Sequence, residues 1–257
     1  MDLSKEMITL AKFYLVGGAV REIVRGFPDK IKDWDFAVEA KDFADMRLTL
    51  NLRGFEIYLE TPEYLTIRAR APKSGFTFAG MDMSNKTFDF TLCRTESDYT
   101  DGRHPDLVEV GTIEQDLSRR DFTMNAIAMD SSGTLIDPFN GSEDIQNKVI
   151  RLVGGEERLM EDSLRMLRAV RFSVQLGFRM QADLFEFLHD GKHKYLLDVV
   201  SRDRIRDELH KAFKINTLET LETLEKFHWM IPYFFEKGDM WLEPTFKGRK
   251  GLQKPTD

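Results

Sequence analysis

Three groups of residues in this chain have the types and spacing for phosphate and nucleotide chemistry. The first is Leu15-Val16-Gly17-Gly18-Ala19-Val20-Arg21, followed by Asp33-Trp34-Asp35. An apolar strand running through a double glycine into a helix start lets backbone N–H groups meet phosphate oxygens. Glycine suits the turn because a Cβ would obstruct that approach. Carboxylates at i and i+2 on a strand point the same way. Asp33 and Asp35 can therefore share Mg²⁺, an ion that takes oxygen ligands and stays in contact with substrate phosphates. Taken alone, a double glycine is a tight turn and a spaced aspartate pair is surface; the signal lies in their joint order. The second group is Asp116-Leu117-Ser118-Arg119-Arg120-Asp121-Phe122-Thr123-Met124-Asn125-Ala126, by itself a small charge cluster at a helix or loop start. The third is Glu161-Asp162-Ser163-Leu164-Arg165, continued by Arg168 and Arg171. On a helix, residues three apart are neighbours, so the spacing predicts Asp162 and Arg165 side by side, by themselves an ordinary salt bridge.

The elements that must hold these groups fall into two stretches. The first half reads as mixed α/β: strands at Phe13–Val16, Asp35–Val38, Phe55–Leu59, Leu65–Ala71 and Thr87–Cys93, separated by Pro, Gly and Asn breaks. Ala19 to Arg25 has helical spacing, with Val20, Ile23 and Val24 on one side. Asn125–Asp130 leads through a turn to a short strand at Leu135-Ile136. From about Ser142 the pattern is helical: Glu161–Leu176 stopped by Gly177, then Ala182–His189, Ser201–Phe213 with Ser201 as N-cap, and Leu218–Phe227. Arg94 to Pro105 is polar and without periodicity, which predicts a surface loop. The natural break lies near Pro138 to Gly141.

Composition sets outer bounds. The chain has 257 residues, 42% hydrophobic and 32% charged, as expected of a globular protein with room for two subdomains. A single cysteine, Cys93, excludes an internal disulfide and fits a reducing cytosol. No apolar run is long enough for a bilayer, and the N-terminal residues lack a signal peptide's apolar core, so a cytoplasmic protein without a membrane partner is expected. The net charge of −7 argues mildly against nucleic acid. Basic residues nevertheless cluster at Arg165, Arg168 and Arg171, from Arg202 to Lys214, and from Lys247 to Lys254.

Gly-Gly-Ala-Val-Arg followed by Asp-Trp-Asp resembles the opening motif of class II nucleotidyltransferases of the DNA polymerase β superfamily, which includes tRNA CCA-adding enzymes and bacterial poly(A) polymerases. Arg119 to Ala126 resembles that family's second motif, and Glu161 to Arg165 its EDxxR motif. Asp137-Pro138-Phe139-Asn140-Gly141 matches its DPFxG connection, and Ser201 to Leu209 a later helical motif. The resemblance implies that Asp33 and Asp35 are catalytic and hold the metal, with Asp89 the candidate third ligand. It implies that Gly17, Gly18, Arg21, Arg120, Asp121 and Asn125 bind the nucleotide, Arg120 by direct contact and Asp121 through the ribose hydroxyl. A carboxylate only accepts hydrogen bonds, so a deoxyribose would leave it unpaired; ribonucleotides are expected. Asp162, Arg165, Arg168 and Arg171 are implied to bind the nucleotide too. Asp162 accepts and Arg165 donates, which matches the amine-beside-acceptor edge of cytosine and adenine. Guanine and uracil present the reverse order and leave groups unpaired. By spacing alone, Arg168 and Arg171 are equally well phosphate or RNA contacts.

The resemblance spans about Phe13 to Phe213. It implies an α+β fold: a nucleotidyltransferase head with a mixed β-sheet and flanking helices at 1–138, an all-helical neck at 139–215, and a short helical body and tail at 216–257. In such relatives the region around Arg94 to Pro105 contains a mobile loop that reshapes the pocket between C and A addition. The body is shorter than in those relatives, with tRNA-binding surface missing or supplied by a second subunit; oligomeric state is open. The implied activity is template-independent addition of CMP and AMP to the tRNA 3′ end from CTP and ATP, by Mg²⁺-dependent attack of the 3′-hydroxyl on the α-phosphate. A C-only or A-only adder, a poly(A) polymerase, and a silent RNA-binding relative are the alternatives.

Overall fold

The structure, a computed structural model, describes residues 10–97 and 107–236. Their contacts divide them into two units, with the break between Asn147 and Lys148. The tip of the polar loop, the N-terminal residues 1–9 and the basic tail from Lys247 to Lys254 lie outside the described residues.

The first unit runs β1 (Ala11–Val16), α1 (Gly18–Val24), β2 (Asp35–Ala40), α2 (Phe43–Leu52), β3 (Glu56–Thr61), β4 (Thr66–Arg70), β5 (Thr77–Phe78), β6 (Met81–Asp82), β7 (Thr87–Leu92), β8 (Arg94–Ser97), β9 (Leu107–Val110), α3 (Ile113–Ser118), β10 (Ala128–Met129), β11 (Leu135–Ile136) and α4 (Gly141–Gln146). Among the described residues, seven strands form one mixed sheet in the order β11-β10-β1-β2-β7-β4-β3. Its centre is the parallel pair β2 and β7, flanked by antiparallel β1 and β4. Alternation sorts the side chains of that pair. Phe36 and Phe88 with Phe90 face a buried aromatic cluster, the Phe36 and Phe90 rings stacked at 5.3 Å. Asp35 and Asp89, register partners across β2 and β7, stand on the opposite face. Each buried phenylalanine contributes about 1.5–3 kcal/mol, so the pattern that builds the core also fixes where the carboxylates go.

The second unit runs β12 (Val149–Ile150), α5 (Glu157–Glu161), α6 (Arg165–Leu176), β13 (Arg179–Met180), α7 (Ala182–Asp190), α8 (Arg202–Ile215) and α9 (Thr217–Glu225). Leu167, Val170 and Val174 of α6 are buried, as are Leu209 and Ala212 of α8, which packs against it. Gly177 ends α6 with φ +67°, the left-handed stop expected of it. Trp229 closes the unit by donating from Nε1 to Leu188 O at 2.7 Å.

The α+β architecture is the expected one, with corrections in detail. The helical unit is not all-helical, since β12 and β13 pair in parallel. The helix expected over Glu161–Leu176 breaks: α5 ends at Glu161, Asp162 is extended at φ −141°, and α6 begins at Arg165. The buried face of α1 is Ala19, Val20, Arg21 and Glu22 rather than Val20, Ile23 and Val24, because two charged residues are drawn inward by partners. Asp33 lies before β2, not on it. The start of the polar loop is strand β8, paired with β9. α2, capped by the Asp42 side chain on Asp45 N–H at 2.9 Å, has no counterpart in the expected elements. Among the described residues no helix is long and apolar enough to cross a membrane.

The Asp-Pro-Phe-Asn-Gly segment has a structural explanation. Asp137 accepts from Gly141 N–H at 2.7 Å and Ser142 N–H at 2.9 Å, starting α4, while Asp144 accepts from Thr123 Oγ1 at 2.7 Å. Gly141 sits so close to the Thr123 turn that a Cβ would lie 2.1 Å from Thr123 O. Gly141→Ala is therefore expected to destabilise the protein by about 3 kcal/mol or more, because backbone must move. Thermal unfolding followed by circular dichroism would show it as a fall in Tm of roughly 6–12 °C.

Candidate active site

The site in the first unit grows from the turn between β1 and α1. Gly17 has φ +66° and ψ −130°, a conformation that favours glycine, and its carbonyl accepts from Arg21 N–H at 3.0 Å. A Cβ on Gly17 would stand 3.3 Å from Arg120 Nη1, and one on Gly18 would stand 3.7 Å from Arg21 Nη2. Two guanidinium groups thus crowd the bare backbone of the double glycine.

Each guanidinium is fixed from below. Arg21 is buried; its Nη1 donates to Asn125 Oδ1 at 2.6 Å and its Nε to Glu22 at 3.2 Å. Asn125 Nδ2 in turn donates to Asp121 Oδ1 at 3.0 Å, which also accepts from Phe122 N–H at 2.8 Å. Arg120 donates through Nε and Nη2 to Asp116 Oδ2 at 3.2 and 2.9 Å, and through Nη1 to Asn125 O at 3.3 Å. Arg119 binds the other Asp116 oxygen at 2.6 Å. Burial opposes ionisation of Asp116, but Arg120 and Arg119 outweigh it and hold its carboxyl below the usual carboxylate range. The first two sequence groups therefore form one network.

The sheet face supplies the acidic side. Asp35 opens β2, and Asp89 is its register partner on β7. Asp33 is exposed just before the strand. Burial first, then the Asp89 carboxylate, push the Asp35 carboxyl above its usual range; Arg120 pulls it down, Asp33 adds a further push and Arg68 a further pull. Arg120 thus senses Asp35, which brings the acidic row and the arginine network into one electrostatic neighbourhood. Arg68, the cross-strand partner of Asp89, holds both its oxygens at 2.7 Å. Among the described residues no three Asp, Glu, His or Cys side chains converge as a ready-made cage. Asp33 and Asp35 are the oxygen donors not engaged in that bidentate pair, and the crowding of negative charge at Asp35 is what a cation would relieve.

In the second unit Asp162 and Arg165 flank the break between α5 and α6, so their spacing is not that of one continuous helix. Asp162 accepts from Leu164 N–H at 3.3 Å and from Arg204 Nη2, while Arg165 donates to Arg158 O at 3.0 Å and Glu161 at 3.3 Å. Arg171 and Arg168 converge on the buried Glu208 of α8 at 2.5 and 3.5 Å. Asp116, Arg119, Arg68, Arg204 and Glu208 were not among the expected site residues. Asp116 had a readable signal, since it lies three and four residues before the two arginines it binds. The others depend on tertiary pairing.

Residues 13–151 match the model of the poly(A) polymerase head domain. The chain is 43% identical over 229 residues to the CCA-adding enzyme of Bacillus subtilis strain 168, covering 87% of this chain and 52% of that protein. It resembles the crystal structure of the Bacillus stearothermophilus CCA-adding enzyme in complex with CTP, with a TM-score of 0.66 and 34% identity over 83% of this chain and 47% of the other. It also resembles a tRNA nucleotidyltransferase complexed with a primer tRNA and an incoming ATP analog, with a TM-score of 0.67 and 28% identity over 90% of this chain and 61% of the other. The chain spans about half the length of the CCA-adding enzymes it matches, 52% in the Bacillus subtilis case.

The arginine clamp yields a stability test. Asp116→Asn removes the anion that the Arg119 and Arg120 guanidinium groups share, and because both are partly exposed the expected loss near neutral pH is about 2 kcal/mol rather than the larger cost of a dry pair. The native carboxyl titrates below the unfolded value of about 3.9. Its stabilisation is therefore complete above that value and is lost as pH falls through the lower, native one. Urea unfolding at a series of pH values should show the gap between wild type and Asp116→Asn constant near neutrality and narrowing below about pH 4. A gap that widens on acidification would contradict the clamp.

Proposed function

This chain belongs to the poly(A) polymerase head-domain family, and from that premise we propose that it is a template-independent RNA nucleotidyltransferase acting on the 3′ end of tRNA, adding CMP and AMP from CTP and ATP. One observation carries the reading: the Arg21–Asn125 bond and the Arg120–Gly17 approach bind two distant sequence motifs into a single basic cradle whose Arg120 acts on the Asp35 carboxylate. The similar proteins include one bound to CTP and one bound to a primer tRNA and an ATP analog.

In this reading Arg21 and Arg120 hold the triphosphate over the double glycine, where no side chain intervenes. Asp121 and Asn125 orient the ribose; a carboxylate that only accepts favours a 2′-hydroxyl. Asp33 and Asp35 would hold Mg²⁺, with Asp89 available as a further ligand only where Arg68 releases it. When bound, the ion neutralises charge on the phosphates and makes the attacking 3′-hydroxyl more acidic. Attack at the α-phosphate then releases pyrophosphate, whose negative charge is met by the same two arginines. Asp162 and Arg165 read the acceptor–donor edge of C or A, and Arg168 and Arg171 complete the nucleotide contacts. A cytoplasmic setting fits the buried, free thiol of Cys93, whose protonation burial favours.

Incubation with Mg²⁺, single NTPs, and tRNAs lacking A, CA or CCA tests the proposal. C and A should be added in order and addition should stop; growth of a long A tract would identify a poly(A) polymerase instead. Asp33→Ala should lower transfer by roughly 10³-fold or more, since several kcal/mol of transition-state charge stabilisation is lost. The exposed Asp33 contributes little packing, so the variant's thermal unfolding should match wild type. Normal transfer by Asp33→Ala removes the metal assignment.

A further inference from the structure

The break between α5 and α6 leaves Asp162 without the helical neighbour its sequence spacing promised, and something else must aim it. That group is Arg204 on α8. Its Nη2 donates to Asp162 Oδ2 at 3.1 Å and Oδ1 at 3.3 Å, across a gap of 42 residues in the chain. Both side chains are about a quarter exposed, 26% for Arg204 and 23% for Asp162, so the pair is only partly screened by solvent. Leu164 N–H takes a second position on Oδ1, at 3.3 Å. A carboxylate oxygen accepts about two hydrogen bonds, so Oδ2 keeps one acceptor position beyond its bond to Arg204. The carboxylate is thus tethered at one side and able to accept at the other. Arg204 Nη1 is buried with no hydrogen-bond partner among the described residues. Such a donor is uncommon in a folded protein.

We propose that Arg204 is a positioning residue for base selection: it holds the Asp162 carboxylate so that its remaining acceptor meets the exocyclic amine of cytosine or adenine. This rests on the reading of Asp162 as the base-edge acceptor. Without the tether, Asp162 sits on an extended residue between two helices, held only by the 3.3 Å bond from Leu164 N–H, and can turn; a carboxylate that turns no longer penalises the carbonyl of uracil or guanine. Arg204 acts through Asp162 and not on the base.

The test is the ratio of kcat/KM for CTP to that for UTP on a tRNA lacking CCA, a quantity that a general loss of stability does not move. Arg204→Met keeps the apolar stem and removes the tether; the ratio should fall about tenfold or more. Arg204→Lys, a single-point donor, should fall between wild type and Arg204→Met. The double variant Asp162→Ala with Arg204→Met should match Asp162→Ala alone, as expected of a residue acting through another. A wild-type ratio in Arg204→Met, with Asp162→Ala relaxed, overturns the positioning role and leaves the base reading standing. A double variant worse than Asp162→Ala overturns it also, because Arg204 then acts on its own. A wild-type ratio in Asp162→Ala instead defeats the base reading and this proposal with it. Should Arg204→Met fail to fold, Arg204→Lys decides: a ratio between those of wild type and Asp162→Ala supports the tether and a wild-type ratio overturns it.

Discussion

The hydrogen bond from Arg21 to Asn125, at 2.6 Å across 104 residues of chain, is the constraint on which the first unit's chemistry depends. Arg21 belongs to the helix after the double glycine, and Asn125 to the turn after the paired arginines. Both are buried, so breaking the bond takes from each a hydrogen-bond partner that water does not readily replace. The bond carries the position of one motif into the other: Asn125 also holds Asp121, and its carbonyl receives Arg120. A cradle assembled this way is set before any ligand arrives, which is the condition under which fixed charges stabilise a developing one most effectively.

The distribution of charge follows the same economy. The acidic row of Asp35 and Asp89 lies on one sheet face because the Phe36, Phe88 and Phe90 side chains claim the other. Like charges so placed repel, and the protein answers with Arg68 at Asp89 and Arg120 near Asp35. Asp116 performs the converse service for Arg119 and Arg120, keeping two cations together at the edge of the same site.

Much of this was legible in the residues themselves. The order double glycine, arginine, spaced aspartates, paired arginines with aspartate is local and dense, and the strands beside it read as short apolar runs. Asp137 and Gly141 read as a connection, and the structure explains why: one starts a helix and the other makes room for Thr123 O. What escaped was what depends on contacts between elements. Glu161 to Leu176 has helical periodicity throughout, yet the chain breaks at Asp162, where Arg204 of α8 engages the side chain. Arg21 and Glu22 look like the polar face of a short helix until Asn125 is brought beside them. Strand β8 hides in a polar run because its pairing partner β9, Leu107–Val110, comes later in the chain.

The most direct test is a double-mutant cycle on that first bond. The kcat/KM for CTP is measured on a tRNA lacking its CCA end, for wild type, Arg21→Ala, Asn125→Ala and the double variant. If the two motifs form one cradle, the double variant should lie within about threefold of the worse single variant, a coupling of about 1 kcal/mol or more. If the two losses simply multiply, Arg21 and Asn125 act at independent places and the single cradle is contradicted.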